Sequence, residues 1–144
     1  MPARRNPAMK ILKVDHIGIA VPNLEDAVRL YEILLGKKPD HYEAVPEQNA
    51  RTAFFAAGES NLELLQSTSA EGVIAKFIEK NGGRGGIHHI CIQVDDIEAA
   101  LAEYEAQGIT LIDKTPRIGA HGKKIAFVHP KSTGGVLLEL SEKI

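Results

Sequence analysis

Val14-Asp15-His16-Ile17-Gly18-Ile19-Ala20-Val21 returns 73 residues later as Ile87-His88-His89-Ile90-Cys91-Ile92-Gln93-Val94. Both stretches alternate in the manner of a half-buried strand, and both carry a histidine near their start. Each is followed by a helix-start signal and an amphipathic run. Asn23 precedes Asp26 by three residues and Asp95 precedes Glu98 by three, so that a short polar side chain accepts from the first free backbone N–H groups. The spacing predicts helices over about Leu24 to Leu35 and Asp96 to Gln107, stopped by Gly36 and Gly108.

The parallel runs on to the module ends. Phe54-Phe55-Ala56 matches Ala126-Phe127-Val128 as a mid-module strand, and Leu62-Glu63-Leu64 matches Leu138-Glu139-Leu140 as a final strand. His16 and Glu63 are 47 positions apart, and His89 and Glu139 are 50 apart, so each module opens on a histidine and closes on a glutamate at nearly one separation. The expected organisation is a leader over residues 1–9, charged and poor in apolar groups, then one domain over 10–144. Within it, module 1 takes about 10–66, a connector helix lies in 67–86, and module 2 takes about 87–144. The connector helix is placed from Glu71 to Lys80, apolar at Val73, Ile74, Phe77 and Ile78, and ends at Gly82-Gly83.

Side chains alternate across a strand, so Ile17, Ile19 and Val21 share one face of the first strand while His16, Gly18 and Ala20 share the other. The apolar set suits packing beneath a helix; the second set offers one ligand and two small residues that leave room beside it. Leu62 and Leu64 bracket Glu63 as Leu138 and Leu140 bracket Glu139, a carboxylate set against a core face in both modules. If the modules pair about a pseudo-two-fold axis, His16, Glu63, His89 and Glu139 converge on one metal site. Imidazole with carboxylate suits a divalent first-row ion such as Co, Ni, Mn, Zn or Fe, with up to two octahedral positions left for substrate oxygens. His88 is expected on the face opposite His89 in a structural role, and Cys91 as a small filler. His41, His121 and His129 are expected in surface loops.

Composition bounds the rest. The 144 residues, 44% hydrophobic and 25% charged, suit one compact domain. The net charge of −2 and the lack of a basic stripe argue against nucleic acid as a partner. A single cysteine excludes an internal disulfide framework and suits a reducing compartment. The apolar run Ile17 to Val21 is too short for a signal-peptide core or a membrane span. A cytoplasmic protein with no membrane partner is therefore expected.

The duplicated strand, helix and three strands, with histidine early and glutamate late, resembles the vicinal oxygen chelate (glyoxalase) superfamily from about Lys10 to Ile144. Three further stretches resemble the methylmalonyl-CoA epimerase family within it. They are Val45-Pro46-Glu47-Gln48; Asn81-Gly82-Gly83-Arg84-Gly85-Gly86-Ile87-His88-His89-Ile90; and Ile118-Gly119-Ala120-His121-Gly122 with His129-Pro130-Lys131 and Gly134 to Leu140.

The resemblance implies an α+β fold of two βαβββ modules forming a curved mixed sheet around a metal site. It implies an epimerase acting on an acyl-CoA, with cobalt the most active ion. Family metal ligands fall on His16, His89 and Glu139, with Glu63 at a position that is glutamine in some members. Acid/base carboxylates fall on Glu47 and Glu139, of which Glu47 is the freer base because coordination draws charge from a carboxylate. Arg84, Lys123, Lys124 and Lys131 are alternatives for holding the coenzyme A phosphates, and the fold often forms homodimers. The rival readings are a glyoxalase I-type lyase and a metal-free binding or resistance protein. An extradiol dioxygenase with an extra pair of modules needs a longer chain.

Overall fold

The computed structural model describes residues 9–46 and 49–144. Along the chain run β1 (Ile11–Ala20), α1 (Leu24–Leu35), β2 (His41–Val45), β3 (Ala50–Ala57), β4 (Ser60–Ser67) and α2 (Val73–Lys80). There follow β5 (Gly86–Val94), α3 (Ile97–Ala106), β6 (Arg117–Ile118), β7 (Lys124–Val128) and β8 (Leu138–Glu142). This is βαβββ twice over, joined by α2, the α+β class expected from the repeat. Met9 packs against the apolar cluster beneath α3, so it belongs to the folded chain rather than to the leader; the rest of the expected leader lies outside the described residues. Chain contacts divide the molecule into two compact units, Val14–Cys91 and the described part of Met1–Lys13 with Ile92–Ile144.

In the Val14–Cys91 unit the strands lie in the order β2-β3-β4-β1-β5. β1 runs parallel to β4, and β3 is antiparallel to both β2 and β4. Alternation along β1 covers both faces. Ile19, with the adjoining Val21, packs toward Leu24 and Val28 of α1 over Ala53, Phe55 and Leu64, whereas Ala20 turns the other way to join Ala50, Leu65 and Ile74 of α2. α1 begins and ends where expected. The Asn23 side chain accepts from the Asp26 N–H, and Gly36, with φ 67°, takes the left-handed turn that returns its N–H to the Glu32 carbonyl. His41, expected in a loop, instead opens β2, where pairing opposite Phe54 lets its ring stack on that residue with centroids 4.2 Å apart. The α2 helix starts at Val73 rather than Glu71.

The turn into β5 is fixed by a close backbone approach. A Cβ on Gly85 would lie 2.4 Å from the Ala20 carbonyl oxygen, a backbone atom at the end of β1. Gly85→Ala is therefore expected to lower stability by about 1–3 kcal/mol through overpacking. Denaturant unfolding checks this, and an unchanged midpoint would show that the turn gives way freely.

In the other unit β8, β7 and β6 are successive antiparallel neighbours, and Phe127 pairs with Glu139. Leu138, Leu140 and Ala126 pack against Val94, Ile97, Ala100 and Leu101 of the α3 side, which sets the intervening Glu139 on the opposite face of its strand. The helix cap here differs from expectation by one residue. Asp96, not Asp95, accepts from the backbone three positions on, at Ala99. Asp95 is still part of the extended chain: its N–H donates to the Lys10 carbonyl and its carboxylate accepts from the Lys10 N–H at 2.7 Å. The Glu142 carboxylate also accepts from the Ile97 N–H, placing negative charge at the positive end of α3. Among the described residues no helix is long and apolar enough to cross a membrane.

Candidate metal centre

The two strand histidines meet. His16 projects from β1 and His89 from β5, its neighbour in the sheet, and their Nε2 atoms are 3.0 Å apart with the rings edge to face at 89°. Gly18 makes this possible. It sits two residues beyond His16 on the same face, and a Cβ there would lie 2.3 Å from His89 Cε1 and within 2.7 Å of both ring nitrogens. The His89 ring therefore occupies the space that any side chain at position 18 would take. The β1–β4 register places Glu63 directly beside Gly18 on that face, and its Oε2 lies 3.2 Å from His16 Nδ1.

The back of each ring is engaged. His16 Nδ1 faces two carboxylates, Asp15 Oδ2 at 2.8 Å and Glu63 Oε2 at 3.2 Å, so it must carry a proton and donate. His89 Nδ1 lies 2.8 Å from His88 Nδ1. Burial, together with the neighbouring His16 and His88, holds the His89 pKa well below the usual histidine value, and burial alone lowers that of His88. His89 is thus a neutral imidazole at neutral pH, the form that offers a lone pair to a cation.

This donor set fits a divalent ion. Two nitrogens facing each other at 3.0 Å repel unless a proton or a cation sits between them. Neutral imidazole nitrogens are donors that a divalent first-row ion takes. Glu63 approaches His16 at Nδ1 rather than at the Nε2 that faces His89, so in this arrangement it is a hydrogen-bond partner of His16. Glu139 is buried on β8 at 5% exposure, and a carboxylate so far from water requires a cation or hydrogen-bond donors about it. Glu47 lies outside the described residues.

Two residues near the histidines gain roles that the strand pattern did not suggest. Asp15 is buried and orients His16 through the 2.8 Å contact, and the Asp-His adjacency in sequence was the available signal. His88, expected on the far face from His89, turns its ring along the strand to meet it. Cys91 is fully buried with its sulfur among the ligand-type atoms of Asp15 and His16. Of the basic candidates, Lys124 is engaged by Glu98 at 2.7 Å, which raises its pKa, while Arg84 and Lys131 are exposed.

Comparison with known proteins identifies the family. The model of the Glyoxalase/Bleomycin resistance protein/Dioxygenase superfamily matches residues 15–127. The mitochondrial methylmalonyl-CoA epimerase of Dictyostelium discoideum is 42% identical over 131 residues, 91% of this chain and 78% of that protein. The crystal structure of methylmalonyl-CoA epimerase from Mycobacterium tuberculosis superposes with a TM-score of 0.84 at 35% identity, covering 93% of this chain and 89% of the other. A variant of the Streptomyces coelicolor methylmalonyl-CoA epimerase in complex with 2-nitronate-propionyl-CoA gives a TM-score of 0.82 at 34% identity, covering 93% and 96%. The chain therefore belongs to the glyoxalase/bleomycin resistance protein/dioxygenase superfamily and, within it, to the methylmalonyl-CoA epimerases.

Proposed function

We infer that the protein is an isomerase that inverts the carbon next to the thioester of methylmalonyl-CoA. The observation that supports this most directly is the pair of imidazoles whose Nε2 atoms face each other at 3.0 Å while their Nδ1 atoms are held from behind. Inversion at that carbon requires removing its proton, holding the negative charge that develops on the thioester oxygen, and returning a proton to the opposite face. A divalent ion supplies electrophilic stabilisation of that charge when bound. We assign His16 and His89 as its nitrogen ligands, and Glu63 and Glu139 as its carboxylate ligands from the histidine-to-glutamate order shared by the two modules. Glu63 would hold the ion in place of its hydrogen bond with His16 Nδ1, and Asp15 would still keep that nitrogen protonated. We propose cobalt as the most active ion, with Ni, Mn, Zn and Fe as substitutes.

The proton transfers fall to Glu47 on one face of the substrate carbon, with Glu139 its partner on the other. Arg84, Lys123 and Lys131 are the candidates for the coenzyme A phosphates, with Lys124 held back by its ion pair. The working form is proposed to be a cytoplasmic homodimer.

Proton exchange tests the reading. In deuterated water with added cobalt, the native protein is expected to wash deuterium into the carbon next to the thioester. Glu47→Gln is expected to lose about 10²–10⁴-fold of the inversion rate while retaining its metal. Inversion at the native rate in that variant would remove Glu47 from the mechanism, and absence of exchange in the native protein would remove the epimerase reading.

A further inference from the structure

His88 is not a ligand in the reading above, yet it is the residue against which His89 rests. Its Nδ1 lies 2.8 Å from His89 Nδ1, with the two rings at 90°. Its other side meets the edge of Phe77 from α2, with centroids 5.3 Å apart and planes at 84°. Both histidines are largely buried, so water does not replace the contact easily. Two imidazole nitrogens at hydrogen-bond distance share one proton. If His89 is to present an unprotonated Nε2 toward His16, its proton sits on Nδ1 and His88 is the acceptor, with its own proton on Nε2.

We propose that His88 is a positioning residue that accepts the Nδ1–H of His89, fixing the tautomer and ring plane in which His89 Nε2 binds the metal. The inference rests on the metal reading and adds a residue to it. It also gives the two ligand histidines different supports. His16 is backed by the carboxylate of Asp15, which strengthens its donor character, and His89 is backed by a neutral ring anchored through Phe77 to the connector helix. A metal ligand whose outer partner is removed commonly loses 10–100-fold in affinity.

The test uses the whole chain with His88→Leu, His88→Asn and His89→Ala, and zinc and cobalt as probes. Asn carries an oxygen acceptor near the place of the imidazole Nδ1, whereas Leu carries none. Chelator competition is expected to show roughly 10–100-fold weaker binding in His88→Leu and recovery of most of that loss in His88→Asn. Nitrogen NMR of the zinc-loaded unsubstituted protein is expected to show His88 protonated on Nε2 and His89 on Nδ1. A His88 protonated on Nδ1, or native affinity in His88→Leu, overturns the inference while leaving the metal reading in place. Equal loss in His88→Leu and His88→Asn would also overturn it, by making the role one of shape. If His89→Ala binds zinc and cobalt as tightly as the unsubstituted protein, the metal reading itself fails and this inference falls with it.

Discussion

Alanine at His89 is expected to abolish both metal-dependent stabilisation and epimerisation, the latter by on the order of 10³-fold or more, since the electrophile that holds the developing charge is lost with its ligand. The two effects separate in a melting experiment. A ligand at one hundred times its dissociation constant stabilises the folded state by about 2.7 kcal/mol, which for a chain of this length is a rise in Tm of about 5–10 °C. The unsubstituted protein is expected to show that rise on adding cobalt, and His89→Ala to show none.

Without metal, His89→Ala is expected to be destabilised as truncation of a buried ring normally implies, since the ring is only 2% exposed and its loss leaves a void. A cobalt-induced rise of native size in His89→Ala would place the ion elsewhere in the molecule.

Much of this centre was legible in the sequence because a duplicated module states its pattern twice. The paired histidines, the Leu-Glu-Leu strands, and both helices with their glycine stops were found from spacing. What the sequence withheld was non-local or depended on side-chain rotation. Strand alternation sends His88 away from His89, but an imidazole turns about two side-chain bonds, and burial against Phe77 lays it along β5. The shift of the α3 cap from Asp95 to Asp96 follows from two hydrogen bonds to Lys10, a residue 85 positions away. Glu63 was visible as a core-flanked carboxylate; that it lies beside Gly18 and touches His16 Nδ1 depends on the register of β4 against β1, which no local pattern encodes.

Gly18 carries the sharpest steric consequence of that register. Gly18→Ala places a methyl group 2.3 Å from His89 Cε1, 2.6 Å from Nδ1 and 2.7 Å from Nε2, distances that no repacking of hydrogen bonds alone can absorb. β1 is in the interior of the strand order, paired in register with β4 from His16 to Ala20, so its backbone has little freedom to retreat. The ring must move instead, and to do so it must leave His88 Nδ1, His16 Nε2 or both. Overpacking of this kind costs about 1–3 kcal/mol in the metal-free protein, and displacing a ligand ring is expected to weaken cobalt binding by tenfold or more.

Gly86→Ala is the matched control in the same unit. There a Cβ meets nothing nearer than 3.5 Å, so stability and cobalt affinity should stay close to native. Calorimetric titration of both variants with cobalt decides the matter. Native affinity in Gly18→Ala would mean that His89 can leave the space over β1 without cost to the ion, and the facing pair of nitrogens could then no longer be its seat.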